Sequence, residues 1–119
     1  TQGMLIPCTL TSAFFKYEAL LQQGEAWGTY VFSDIAEKFG NMLFSGATTF
    51  YETEDGASAF ANAGALCCGS ATYPAYFYMA YLCGIRAEEG EGFCLHEPLP
   101  GAVNEPHCRI LTPKGELSV

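Results

Sequence analysis

Three carboxylates crowd one short stretch, Glu52, Glu54 and Asp55, directly after the aromatic pair Phe50-Tyr51. A carboxylate set among rings is a candidate general base. Partial burial raises the pKa of such a group, and an aromatic face can stack on a sugar or another ring. If the stretch is extended, alternation puts Glu52 and Glu54 on one face together with Phe50. The competing reading of the same residues is a solvated acidic turn, because surface acids outnumber perturbed ones.

Two further groups carry reactive side chains. Cys94-x-His96 and His107-Cys108 supply four nitrogen and sulfur donors. Their spacing matches neither C-x₂-C nor H-x₃₋₅-H, and adjacent His107 and Cys108 point to opposite sides of an extended chain, which argues against zinc. Cys67-Cys68 offers a thiol nucleophile with no histidine nearby in sequence; its apolar surroundings favour buried helix residues instead. The phosphate-binding pattern G-x-x-x-x-G-K-[ST] and the serine nucleophile elbow are both absent. No cofactor or metal is expected.

The elements that must position these groups are mainly helical. Residues 9–24 read as a helix, with Thr11 or Ser12 as N-cap, an apolar stripe of Ala13, Phe14, Tyr17, Leu20 and Leu21, and Gly24 as a left-handed stop. Residues 26–45 form a second helix. Val31, Phe32, Ile35, Phe39, Met42 and Leu43 fall on its apolar face, Ser33, Asp34, Glu37 and Lys38 on the other, and Gly46 caps its end. The short gap between them predicts a helical hairpin. Residues 47–56 read as extended chain ending in an Asp55-Gly56 turn, and 58–64 as loop or short helix. A third helix, apolar almost all round, is predicted over 66–83, opened or kinked by Pro74 and ended by Gly84. Residues 87–92, with Glu88, Glu89 and Glu91, read as a solvated acidic linker. Thr112-Pro113-Lys114-Gly115 fits a type I turn joining 108–111 and 116–119 in a hairpin.

Composition closes off several classes. Of 119 residues half are hydrophobic and 15% charged, against roughly 25% in an ordinary domain, and the net charge is −8. Five scattered basic residues give no footprint for DNA or RNA phosphates. The hydrophobic content excludes intrinsic disorder. No apolar run approaches the 18 residues of a transmembrane helix, so no membrane partner is expected. No signal peptide is visible from Thr1 onward. Six cysteines are roughly 5% of the chain, below the 8–10% of a disulfide scaffold, so reduced thiols and a reducing, cytoplasmic compartment are expected.

The run Met42-Leu43-Phe44-Ser45-Gly46-Ala47-Thr48-Thr49-Phe50-Tyr51-Glu52 resembles a hallmark of the α-L-rhamnosidase-like six-hairpin glycosidases: Met-Leu, two variable residues, Gly-Ala-Thr-Thr, an apolar residue, Trp and Glu. Ala63-Gly64-Ala65-Leu66-Cys67-Cys68-Gly69-Ser70-Ala71-Thr72-Tyr73-Pro74 is similar to their Gly-Ser-Leu-Cys-His-Gly-Trp-Ser-Ala-x-Pro segment, and Thr112-Pro113-Lys114-Gly115 to a Thr-Pro-x-Gly turn of their C-terminal β-domain. The resemblance implies a mainly α fold: residues 1–86 as the last hairpins of an (α/α)6 barrel, about three helices, and 87–119 as linker and start of a β-sandwich, seen as a short hairpin tail. It implies inverting hydrolysis of a terminal glycosidic bond of a carbohydrate substrate. Glu52 would be the general base, with Tyr51, Phe50 and Cys68 against the substrate. Tyr51 stands at the family's Trp, Cys68 at its His and Ser70 at its second Trp. The general acid, which lies upstream in the family, has no counterpart before residue 46. The chain is therefore expected to be a piece of a longer enzyme and to need the rest of that parent chain. The alternative expectation is a non-catalytic carbohydrate-binding or structural remnant of the same fold.

Overall fold

The computed structural model describes residues 9–90, 92–100 and 103–119. Cys8, Glu91 and the Thr1-to-Met4 stretch lie outside them. The protein is mainly α with two small antiparallel hairpins toward its C-terminal end.

The first helix, α1, spans Leu10–Gln22. Its N-cap is Thr9, whose Oγ1 accepts from the Ser12 amide at 3.2 Å. Neither Thr11 nor Ser12 caps, because Leu10 is already needed inside as a buried first-turn residue. Gln23 ends the helix, and Gly24 follows with φ 137° and ψ 163°, a positive-φ conformation that favours glycine but is not left-handed helical. A short 3₁₀ turn, Glu25–Trp27, leads into α2, Gly28–Phe44. The 26–45 expectation thus holds apart from its first residues, and α1 and α2 make the expected hairpin.

The end of α2 is a Schellman motif. Ala47 N–H donates to Met42 O (3.2 Å) and Gly46 N–H to Leu43 O (3.0 Å), with Gly46 at φ 91°. That geometry turns the chain sharply into residues 47–55. The buried face of α2 is Val31, Ile35, Phe39 and Met42, while Phe32 is half-buried and Leu43 exposed. Asp34 and Lys38 are half-buried too, on a face whose polar residues were expected in solvent.

The largest departure comes after residue 55. A 3₁₀ turn, Gly56–Ser58, precedes a single helical turn, α3, Ala59–Asn62. In α3 Phe60, Ala61 and Asn62 all have left-handed φ values of 50° to 69°, a strained conformation for side chains with a Cβ. The helix predicted over 66–83 begins only at Tyr73. Helix α4, Tyr73–Phe77, has Pro74 in its first turn and runs directly into a π turn, Tyr78–Leu82. Residues 65–68 are instead extended, because their backbone groups bond to the 50–52 segment. Pro74 also has no N–H to continue a helix from upstream. Cys67 is exposed and Cys68 half-buried, so neither is a buried helix residue.

The linker expected at 87–92 is part of a hairpin. Strand β1, Ile85–Glu88, pairs antiparallel with β2, Gly92–Leu95, with Ile85 opposite Leu95 and Glu88 opposite Gly92. Residue 86 therefore lies inside a strand. His96 extends the hairpin, bonding Gly84 O through its amide (2.7 Å) and Glu88 Oε1 through Nε2 (2.7 Å). Gly84, at φ 73°, is needed there, because a Cβ would strike His96 O. Strand β3, Arg109–Thr112, pairs with β4, Gly115–Ser118, about the expected Pro113-Lys114 turn. Thr112 Oγ1 accepts from Lys114 N (3.2 Å) and donates to Gly115 O (2.8 Å).

The core joins α1, α2 and α4. Tyr17, Phe77, Leu10 and Val31 are fully buried, and Phe77 contacts the rings of Phe14, Tyr17, Tyr73, Tyr76 and Tyr81 at centroid distances of 5.2–5.9 Å. Phe77→Ala should lower the unfolding free energy by ~3–5 kcal/mol, the usual loss for a buried aromatic. Thr9→Ala should lower it by ~1 kcal/mol through the lost cap. Urea unfolding followed by circular dichroism measures both. Apolar side chains also stand in solvent: Phe44 is 93% exposed, Leu111 82% and Phe15 74%. The isolated chain should self-associate with rising concentration in sedimentation velocity. A monomer that melts cooperatively at every concentration would contradict this.

Candidate functional site

The segment from Ala47 to Asp55 is not a regular strand, yet its middle is clamped like one. Phe50 O accepts from Cys68 N (2.7 Å), Glu52 N donates to Ala65 O (2.9 Å), and Glu52 O accepts from Leu10 N (3.1 Å). Thr49 Oγ1 donates to Leu66 O. Tyr51 N donates to Met42 Sδ at 3.3 Å. These bonds tie residues 49–52 to α1, to the end of α2 and to the 65–68 segment. They bring Phe50, Glu52 and Cys68 together along two facing backbones.

The three acids separate by environment. Glu52 is half-buried, and its Oε2 accepts weakly from Ala65 N at 3.4 Å. Glu54 is exposed and pairs with Lys38 Nζ at 3.6 Å. Asp55 is exposed, and its carbonyl accepts from Ser58 Oγ (2.8 Å) in a turn. Glu54 and Asp55 thus follow the solvated-turn reading, while Glu52 stands apart from them.

Phe50 lies edge-on to Phe39, centroids 5.8 Å apart, and lines a cleft of about 130 Å³ with Phe39, Met42, Leu43, Ala47, Thr48 and Thr49. That volume is below the roughly 300–1,000 Å³ of a pocket enclosing a small-molecule ligand. The cleft is a wall with a notch, not a complete site. Tyr51 turns the other way, its ring 3.3 Å from where a Gly56 Cβ would stand, and packs against the core, as does Cys68.

A second polar centre lies between the helices. Asp34 Oδ2 accepts from Tyr17 Oη (2.7 Å) and Lys16 Nζ (2.7 Å), with Lys38 Nζ at 3.4 Å. Burial by itself would raise the Asp34 pKa. The hydrogen bonds from Lys16 and Tyr17, with the Lys38 charge, outweigh it and hold the carboxyl below its usual range. Burial and the bond to Asp34 push the Tyr17 hydroxyl far up, so it donates at any ordinary pH. Lys16 also sits over the Tyr17 and Tyr30 rings, at 4.6 and 5.5 Å. Tyr73, 6% exposed, turns its hydroxyl toward Tyr17 without a hydrogen bond of ordinary geometry; burial, then the Asp34 charge, raises its pKa. On the other side of the core, Glu18 takes a bond on each oxygen, from Tyr76 Oη (2.8 Å) and Tyr81 Oη (2.7 Å).

Sequence reasoning missed both centres. The Asp34–Lys38 spacing of four residues was a usable signal. The link from Lys16 and Tyr17 was not, since it depends on how the hairpin closes. Of the donors considered for zinc, His96 is engaged with Glu88 across the first hairpin, and Cys108 is on the second, joined to Val119 by two backbone bonds. Among the described residues no three His, Cys, Asp or Glu side chains converge as a metal site, and no helix is long and apolar enough to cross a membrane. Compared with known proteins, the chain matches no family model, no curated protein and no solved structure.

The Asp34 network makes a pH prediction. A carboxyl whose folded pKa is depressed stabilises the fold above its unfolded pKa and loses that contribution as pH falls through the folded value. The stability gap between the wild type and Asp34→Asn should be widest near neutrality. It should narrow below about pH 3.8, the ordinary value of the group, in urea unfolding across a pH series.

Proposed function

We propose that the chain is part of an inverting glycoside hydrolase, similar to the α-L-rhamnosidase-like enzymes, in which Glu52 is the general base. The observation that carries this reading is the placing of Glu52. Of three neighbouring acids it alone is half-buried, two residues along the chain from Phe50 of the notch wall and on a segment clamped at three backbone positions. A base must be held where a water can approach the anomeric carbon from the face opposite the leaving group. The clamp supplies that fixity, and the exposed Phe50 supplies an apolar face for a sugar ring. Glu52 takes a proton from the attacking water as the C–O bond to the aglycone breaks. A carboxylic acid elsewhere in the parent chain protonates the leaving oxygen. In this reading α1, α2 and α4 belong to an (α/α)6 barrel, and the remaining hairpins complete the notch into a pocket and cover the exposed apolar side chains. Carbohydrate is the substrate, and no cofactor takes part.

One observation favours the alternative, a structural or sugar-binding remnant. Glu52 Oε2 bonds the Ala65 amide, so the carboxylate also acts as a clasp between the two facing segments. The two roles part under substitution. Glu52→Gln keeps an acceptor oxygen for Ala65 but cannot take a proton. In the complete parent protein this variant should lower turnover of a terminal glycoside by ~10²–10⁴, with melting temperature unchanged. If turnover is retained while Glu52→Ala lowers the melting temperature, the clasp is the whole role and the catalytic assignment fails.

A further inference from the structure

Backbone bonds hold Glu52 from two sides: Leu10, at the start of α1, donates to its carbonyl, and Ala65 accepts from its amide. Beyond Glu52 the fastening changes. The Thr53 hydroxyl is buried without a hydrogen-bond partner, and the Thr53 and Asp55 carbonyls accept from Gly56 and Ser58 inside the same turn. Among the described residues, the one hydrogen bond or ion pair that ties residues 53–55 to α1, α2 or α4 runs from Lys38 Nζ to Glu54 Oε1, at 3.6 Å.

Lys38 is itself anchored. Its Nζ lies 3.4 Å from Asp34 Oδ2, one turn earlier on α2, and that oxygen accepts from Lys16 Nζ and Tyr17 Oη of α1, each at 2.7 Å. The contacts close a ring. It runs from Leu10 on α1 to Glu52, along the chain to Glu54, across to Lys38 on α2, and back through Asp34 to α1. The charges alternate along it: Lys16, Asp34, Lys38, Glu54. The Lys38 and Asp34 side chains are only 20% and 17% exposed, so the ammonium has little freedom to swing into water. Glu54, 52% exposed, is the loose end. A pair this exposed adds little to overall stability. Its effect is on position, and a catalytic group displaced by about 1 Å can lose ~10²-fold in rate.

We propose that Lys38 is a positioning residue for Glu52: by joining Asp34 to Glu54 it fixes the downstream side of the segment that presents the base. Lys38 acts through Glu54; it neither touches substrate nor moves a proton. With the ring closed, Glu52 is held between α1 and α2. With Lys38 neutralised, residues 53–55 keep only their local turn bonds, and the carboxylate loses its fixed direction. The role rests on the reading of Glu52 as general base.

The test is steady-state hydrolysis of a panel of nitrophenyl glycosides, the α-L-rhamnoside first, by the complete parent protein, with melting temperature measured alongside. Lys38→Met and Glu54→Gln should each lower kcat by ~10–100-fold, with KM and melting temperature close to wild type. The double variant should lose no more than either single one, because both break the same contact. Lys38→Arg, which keeps a cation between the two carboxylates, should retain wild-type kcat. Wild-type kcat in Lys38→Met, while Glu52→Gln lowers turnover, overturns the proposal and leaves the reading of Glu52 intact. An equal loss in Lys38→Arg, or a loss in Lys38→Met that Glu54→Gln does not share, overturns it in the same way. No turnover by the wild type, or turnover retained in Glu52→Gln, overturns the glycosidase reading and the role of Lys38 with it. If Lys38→Met fails to fold, Glu54→Gln, at an exposed position, decides by itself.

Discussion

Phe77 holds the molecule together. Its ring touches five other aromatic rings, from α1 on one side and from its own helix on the other. Tyr73, one turn earlier, carries the same packing to Phe39 on α2, edge-on at 5.6 Å. Three helices are thereby fixed by a single knot of side chains. Four of its members are tyrosines, and this choice has a cost. Each buried hydroxyl must find an acceptor or lose the hydrogen bond it had in water. Asp34 accepts from Tyr17, and Glu18 accepts from Tyr76 and Tyr81. Two of the chain's 13 acidic residues thus serve the knot's rim. Arg86 belongs to the same rim, stacked 4.5 Å over Tyr81 and bonded to Ala80 O.

The knot also determines where the Glu52 segment lies. Phe39 is shared between the core and the notch, so the orientation of α2 that satisfies Tyr73 also sets the wall on which Phe50 rests. The Schellman turn at Gly46 then points the chain back across Met42, whose sulfur receives the Tyr51 amide. From there the segment needs partners for its remaining backbone groups, because unpaired buried amides and carbonyls are costly. Leu10 and residues 65–68 provide them. The strained left-handed turn at Phe60–Asn62 is the reversal that brings 65–68 back into register against 50–52.

This division explains what the sequence made legible. Both long helices were readable because Val31, Ile35, Phe39 and Met42, or Ala13, Tyr17 and Leu21, repeat at 3.6-residue spacing; of the expected caps only Gly46, at the end of α2, was legible. The β3–β4 turn was readable because Pro113 and Gly115 punctuate it. Residues 66–72 were misread because small apolar side chains look like a buried helix. Their actual constraint is a backbone pairing with a segment some 15 residues earlier, which leaves no periodic trace. The β1–β2 hairpin was hidden for a related reason: strands of four residues with two glutamates at their turn look like a linker. Glu52 stood out by motif. Its separation from Glu54 is spatial, since it depends on Lys38 reaching Glu54 from α2.

Two of the exposed apolar residues fall at or next to the incomplete site. Leu43 lines the notch, and its neighbour Phe44 is the most exposed large apolar side chain among the described residues. Both sit on the last turn of α2, immediately before Gly46. Covering that turn removes apolar surface from water, each such side chain contributing ~1.5–3 kcal/mol when fully buried. The same cover must rise along Leu43 and close the open side of the notch in front of Phe50. In the proposed enzyme, burial of this surface and completion of the sugar pocket are therefore one event. A general base held by the clamp alone has a fixed position but no enclosed substrate; the free energy that encloses it comes from the apolar turn next door.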